Sequence, residues 1–205
     1  MKKNIYVSII CFLLLVMIFS GVMIYSHFKE AHTQEEIYDS LAEFVEENET
    51  SEAVNTTEGE VVMLPEYTKL FEQNSDIVGW IRIDDTQINY PVMQSPQESN
   101  FYLKHGFDKE YTDYGCPYMS ESCDVNKPSD NLIVYGHHMK NGTMFTGIDK
   151  YKKQDFFDEH PVALLITPDK NYKVDFFAGY VAAPQDDAWE IGFTEAEFEV
   201  WLQNA

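Results

Sequence analysis

Positive charge is scarce in this chain of 205 residues: 14 Lys and Arg stand against 35 Asp and Glu, a formal charge of −21. A surface of that sign repels phosphate, which argues against a nucleic-acid binder. Arginine is scarcer still, Arg82 being the single example. Cysteine occurs only at Cys11, Cys116 and Cys123. No cysteine therefore follows position 123, and the last part of the chain offers no thiol nucleophile.

What is abundant is apolar. Hydrophobic residues make up 44% of the chain and aromatic ones 15%, enough for the core of one globular domain. Asn4 to Ser26 carries no charge and is long enough to cross a bilayer as a helix. Lys2 and Lys3 precede it and acidic sequence follows Lys29, so the positive-inside rule leaves the short amino terminus in the cytoplasm and puts the rest outside. A cleaved signal peptide is the competing reading. It is disfavoured because no small-x-small site follows the run, which is longer than the usual apolar region of roughly 7 to 15 residues.

From Gln34 to Val45 the spacing of Ile37, Leu41, Phe44 and Val45 predicts a short amphipathic helix. Between Glu30 and Glu60 there are eleven acidic residues and no Lys or Arg. The part from Glu46 to Glu60 has no apolar periodicity and reads as a solvated linker. The organisation expected is residues 1–29 as cytoplasmic tail and membrane anchor, 30–63 as acidic helix and linker, and 64–205 as the folded domain.

Within that domain, Gly79 to Ile83 and Gln87 to Met93 flank Asp84-Asp-Thr and read as two strands with a tight turn. Pro91 marks the second as an edge strand or a bulged one. Pro117 to Met119, Leu132 to Tyr135, Val162 to Thr167 and Lys173 to Ala183 complete the strand set, the last two joined by a turn at Pro168 to Asn171. Two helices interrupt them: Lys153 to His160, stopped by Pro161, and one opened by the capping box Thr194-Glu-Ala-Glu197, with Phe198, Trp201 and Leu202 on one face. Many strands separated by turn signals predict a mainly β barrel or sandwich with short helical insertions.

Leu132-Ile-Val-Tyr-Gly-His-His138 is the most chemical stretch, because the strand breaks at Gly136 and delivers His137 to its end. Imidazole moves protons near neutral pH, so His137 is the candidate catalytic residue, although most histidines do no chemistry. A zinc site at His137 and His138 is disfavoured: neighbours on an extended segment point to opposite faces, and no second ligand pair is evident. No metal or cofactor is expected. Cys116 or Cys123 could meet His137 only through space, and a local disulfide or two unpaired small residues are simpler readings. Cys11 lies in the anchor.

The ordered set Asn74-Ser-Asp-Ile-Val-Gly-Trp-Ile-Arg-Ile83, Thr86-Gln-Ile-Asn-Tyr-Pro-Val-Met-Gln94, Asn100-Phe-Tyr-Leu103, Asn131 to Met139 and Gly142-Thr-Met-Phe145 resembles the class B sortases of Gram-positive bacteria, over roughly Leu64 to Ala205. That resemblance implies a cysteine transpeptidase on an eight-stranded β-barrel, anchored in the membrane with its domain outside. Its implied partners are an exported protein bearing a sorting signal and an amine of the peptidoglycan precursor. A cysteine thiolate would attack a Thr carbonyl in the signal to give a thioester, a histidine matching His137 would protonate the leaving amine, and an arginine would stabilise the oxyanion. In the family the cysteine follows the helix that begins here at Thr194, in a Thr-Leu-x-Thr-Cys strand, and the arginine lies in the strand after it. Neither motif is present, and Arg82 does not match the arginine position. The expectation is a sortase-like barrel incomplete at its carboxyl end and inactive as it stands, the alternative being a membrane-anchored, non-catalytic sortase-like binding protein.

Overall fold

The computed structural model describes residues 2–48, 65–124, 131–167, 171–181 and 191–204. The chain divides into two compact units, Met1–Asp39 and Ser40–Ala205. Helix α1 runs from Lys2–Asn48, and its apolar part is long enough to cross a membrane. The separate amphipathic helix expected at Gln34 to Val45 is instead the end of α1. No Gly or Pro falls between Ser26 and Gln34 to break the backbone hydrogen bonds, so the helix propagates. Within the second unit Leu41 and Val45 are buried, and Lys69 Nζ lies 5.1 Å from the Phe44 ring centroid. Most of the expected linker, and the turn at Pro168 to Asn171 apart from Asn171 itself, lie outside the described residues.

The sheet is built around β1 (Ile77–Arg82), which pairs antiparallel with β2 (Asn89–Met93) on one edge and with β5 (Val162–Ile166) on the other. The hairpin turn between β1 and β2 closes through Thr86. Its Oγ1 donates to Ile83 O at 2.7 Å and accepts from Ile88 N at 2.9 Å, while Asp85 takes the left-handed conformation that the tight turn needs, at φ 56°. Outward from β2 come β3 (Tyr118–Met119) and β4 (Val134–Tyr135), and outward from β5 comes β6 (Asn171–Asp175). The order β4-β3-β2-β1-β5-β6 makes a six-stranded curled half-barrel, with β2 and β3 parallel and every other pair antiparallel.

Two strand expectations are corrected. Pro91 lies in an internal strand, and the sheet tolerates it because β2 meets β3 only at Met93↔Tyr118, so the missing N–H falls where no strand requires it. The irregularity that Pro91 suggested lies in the partner strand instead, in β1 between Ile77 and Gly79, which face Met93 and Val92. The expected strand Lys173 to Ala183 stops at Asp175, and Phe176 to Val181 is not extended in the sheet.

Helix α2 (Pro65–Gln73) was not expected, though Pro65 at its first turn and Tyr67, Leu70 and Phe71 at helical spacing are its signature. It packs onto β5, where Tyr67 OH donates to Ile166 O at 3.4 Å, and burial pushes that phenol well up. Helix α3 (Gln154–Glu159) ends before Pro161 as expected. The capping box forms at α4 (Glu195–Asn204): Thr194 N donates to Glu197 Oε2 at 2.8 Å and Glu197 N donates to Thr194 Oγ1 at 3.3 Å. Core side chains include Trp80, Ile88, Val92, Met93, Met119 and Ile166, each at most 2% exposed.

Ile88 closes the β1–β2 hairpin from inside and is fully buried. Ile88→Ala should destabilise the domain by about 2–5 kcal/mol, read as a lowered midpoint in thermal unfolding of the detergent-solubilised chain by near-UV circular dichroism.

Candidate functional site

The segment leading into His137 is fixed from both sides. Gln94 Nε2 donates to Ser120 O at 2.7 Å and to Cys123 O at 2.9 Å, and Ser120 N donates to Ile133 O at 2.9 Å. Val92, Met119 and Cys123 form a buried cluster with Leu132, Ile133 and Val134 against it. Strand β4 therefore reaches Tyr135 on a packed base. The residue that follows the strand must be glycine, because the Phe145 ring occupies the space a side chain at 136 would need: a Cβ there would lie 2.6 Å from two of its ring carbons.

Beyond Gly136 the chain folds back on itself. Phe145 N donates to His137 O at 2.9 Å, and His138 pairs with Met144 as an isolated bridge. Met144 holds a positive φ of 55°, a conformation costly for a residue with a side chain. It is stabilised there by burial and by the Tyr90 hydroxyl, which accepts from Met144 N at 3.2 Å.

The two histidines diverge, as expected for neighbours on an extended segment. His137 is half-buried, with Nε2 2.8 Å from Leu103 O. His138 is exposed, with Nε2 3.0 Å from Asp149 Oδ2, and Lys152 Nζ reaches Asp149 Oδ1 at 2.7 Å. The hydrogen bonds from Lys152 and then His138 hold the Asp149 carboxyl below its usual range. Among the described residues no group of three or more His, Cys, Asp or Glu converges on a metal position.

Leu103 ends a 3-10 turn, Phe101–Leu103, in the long connection between β2 and β3. Sequence reasoning missed this partner of His137, because a main-chain carbonyl leaves no trace in residue identity. Cys116 and Cys123 are not joined by a disulfide. Both are buried, Cys116 Sγ donating to Pro91 O and Cys123 Sγ to Asn131 O, each at 3.6 Å. Arg82 lies in β1, where its Nε is 3.5 Å from Asp84 Oδ1 in the hairpin turn.

No protein-family profile matches the chain. Its sequence is 32% identical over 197 residues to sortase B of Listeria monocytogenes, covering 92% of this chain and 77% of that protein. It is 32% identical over 123 residues to sortase B of Staphylococcus aureus, covering 60% of this chain and 50% of that protein. Among solved structures, a Bacillus anthracis protein described as similar to sortase B superposes with a TM-score of 0.74 at 28% identity, covering 84% of this chain and 79% of that one. A Staphylococcus aureus sortase B–substrate complex superposes with a TM-score of 0.72 at 24% identity, covering 86% of this chain and 76% of that one, and bears on fold alone. A sortase B complexed with triglycine superposes with a TM-score of 0.71 at 25% identity, covering 86% and 77%. The curled sheet with its inserted helices is thus a sortase fold, whose known members are cysteine transpeptidases of the cell wall. This chain belongs to the class B sortases.

Gly136→Ala should cost about 1–3 kcal/mol, as overpacking against an aromatic ring does, and should weaken the Phe145 N to His137 O bond, read as faster amide exchange at Phe145. The Asp149 carboxyl should titrate below an ordinary aspartate in an NMR titration of the carboxyl carbon, and Lys152→Ala should move its midpoint up. Because the folded value is the lower one, the His138–Asp149–Lys152 contacts contribute at neutral pH and are lost as pH falls through it.

Proposed function

We propose that His137 is the general acid of a sortase reaction, giving a proton to the amine that leaves when a thiolate acylates on the Thr carbonyl of a sorting signal. The observation that carries this is the half-exposed ring at the end of β4, hydrogen-bonded to a carbonyl rather than sealed in apolar packing. A histidine so placed is fixed in orientation yet open to a substrate on its other side. The thioester would then be resolved by a peptidoglycan-precursor amine, as befits a family with a member solved with triglycine.

The 205 residues supply neither the thiolate nor the arginine of that reaction. Both thiols of the domain are buried and hydrogen-bonded into the sheet, which removes the nucleophilic face a reactive cysteine needs. Arg82 is engaged at the β1–β2 turn. We therefore take this polypeptide, alone, to be catalytically silent. Helix α1 would anchor it in the cell membrane as a single span, with the basic amino terminus inside and residues 64–205, as one sortase-like domain, on the outer side. The same buried thiols favour a second reading, a membrane-anchored protein that binds sorting signals without cleaving them.

The detergent-solubilised chain, incubated with a quenched fluorescent sorting-signal peptide and triglycine, should show no turnover above background; turnover abolished by Cys116→Ala would overturn the assignment. Fused after Ala205 to the cysteine- and arginine-bearing segment of a sortase B, it should cleave the peptide, and His137→Ala should lower that rate about 10²–10⁴-fold. Full activity in the His137→Ala fusion would sink the proposed role, whereas peptide binding by the unfused chain with an inactive fusion would favour the binding protein.

A further inference from the structure

The contact between His137 and Leu103 fixes more than the ring's orientation. A carbonyl oxygen can only accept, so the nitrogen 2.8 Å from Leu103 O carries a hydrogen in every protonation state that keeps the contact. That nitrogen is Nε2.

We infer that the Leu103 carbonyl locks His137 with its hydrogen on Nε2, leaving Nδ1 as the nitrogen that exchanges the catalytic proton, and that Gly115 and Tyr102 are the positioning residues that fix this carbonyl. The inference rests on the general-acid reading of His137 above. In the acylation step the imidazolium Nδ1–H bond breaks and the proton passes to the nitrogen of the leaving amine, leaving a neutral imidazole that still donates through Nε2 to Leu103.

Gly115 holds the carbonyl from behind. Its φ is +58°, and a Cβ on it would lie 2.6 Å from both Leu103 O and Tyr102 O, closer than nonbonded atoms approach. The main chain there packs directly on the two carbonyls, and Cys116 N donates to Tyr102 O at 2.9 Å. Any side chain at 115 would push Leu103 O toward or away from the imidazole.

Tyr102 holds the same turn from the core. Its side chain is 1% exposed, its hydroxyl donates to Asp76 Oδ2 at 2.7 Å and accepts from Asn74 Nδ2 at 2.9 Å. Asn74 Nδ2 also reaches Phe107 O at 2.6 Å, and Lys109 Nζ lies 2.8 Å from Asp76 Oδ2. Asn74 and Asp76 precede β1 directly, so the turn carrying Leu103 is tied to a strand paired along both of its edges. Burial keeps the Tyr102 phenol far above its ordinary range, so it remains a donor at any working pH. Two adjacent residues thus divide the work: Tyr102 is anchored at its hydroxyl and its carbonyl, and Leu103 offers its own carbonyl to the histidine.

Imidazole NMR on the isotopically labelled full chain in detergent micelles tests this without any turnover, so its outcome is separable from that of the peptide assay. His137 should show a resolved, slowly exchanging Nε2–H proton, assigned by its absence in His137→Gln. Gly115→Ala should accelerate its exchange roughly tenfold or abolish the signal, as loss of one hydrogen bond does. Gly142→Ala is the control, since Gly142 also has a positive φ, of +91°, but open space around it; its signal should stay. Tyr102→Phe should accelerate exchange several-fold, and it decides the matter should Gly115→Ala fail to fold. A neutral His137 ring with its hydrogen on Nδ1 and none on Nε2 in the parent chain, unchanged exchange in both Gly115→Ala and Tyr102→Phe, or equal loss in Gly142→Ala would overturn the inference.

Discussion

Strand β1 is hydrogen-bonded along both edges, and that constraint organises the domain. Ile81 faces Tyr90 on one side and Leu165 on the other, so a single register couples strands far apart in sequence. A buried backbone group without a partner is costly, so neither neighbour can slip without exposing the other. The turn with Leu103 is fastened to the residues just before this strand, reaching Asp76 and Asn74 through Tyr102, while helix α2 reaches the neighbouring strand β5 at Ile166 through Tyr67.

The candidate site is consequently assembled from main chain as much as from side chains. His137 is presented by a strand of only two residues, and what steadies it is a carbonyl, a glycine that admits an aromatic ring and a glycine that lets two chain segments touch. His138, next in sequence, belongs to a different local system with Asp149 and Lys152. One histidine is held by an uncharged acceptor and its neighbour by a carboxylate, which gives the two rings different electrostatic surroundings within one turn of chain.

Local signals in the sequence were readable where the physics is local. The Asp-Asp-Thr turn, the stop before Pro161 and the Thr194–Glu197 capping box each depend on residues a few positions apart, and each forms as expected. The break at Gly136 was also visible, although the ring of Phe145, which excludes any side chain there, was not. What escaped was non-local or carried by backbone. Leu103 lies 34 residues from His137, and Pro91 turned out internal because its neighbour β3 reaches only Met93. Helix α1 outran the expected boundary because an amphipathic stretch joined to an apolar one without a breaker has no reason to end.

The concealment of sulfur in this protein has a practical side. Cys116 and Cys123 are shut inside the sheet, and Cys11 belongs to the segment long enough to lie in lipid. A water-soluble maleimide would thus find the two thiols of the folded unit almost inert. A cysteine introduced on the surface of that unit would then accept a spin label or fluorophore there, with no need to strip Cys116 or Cys123 first.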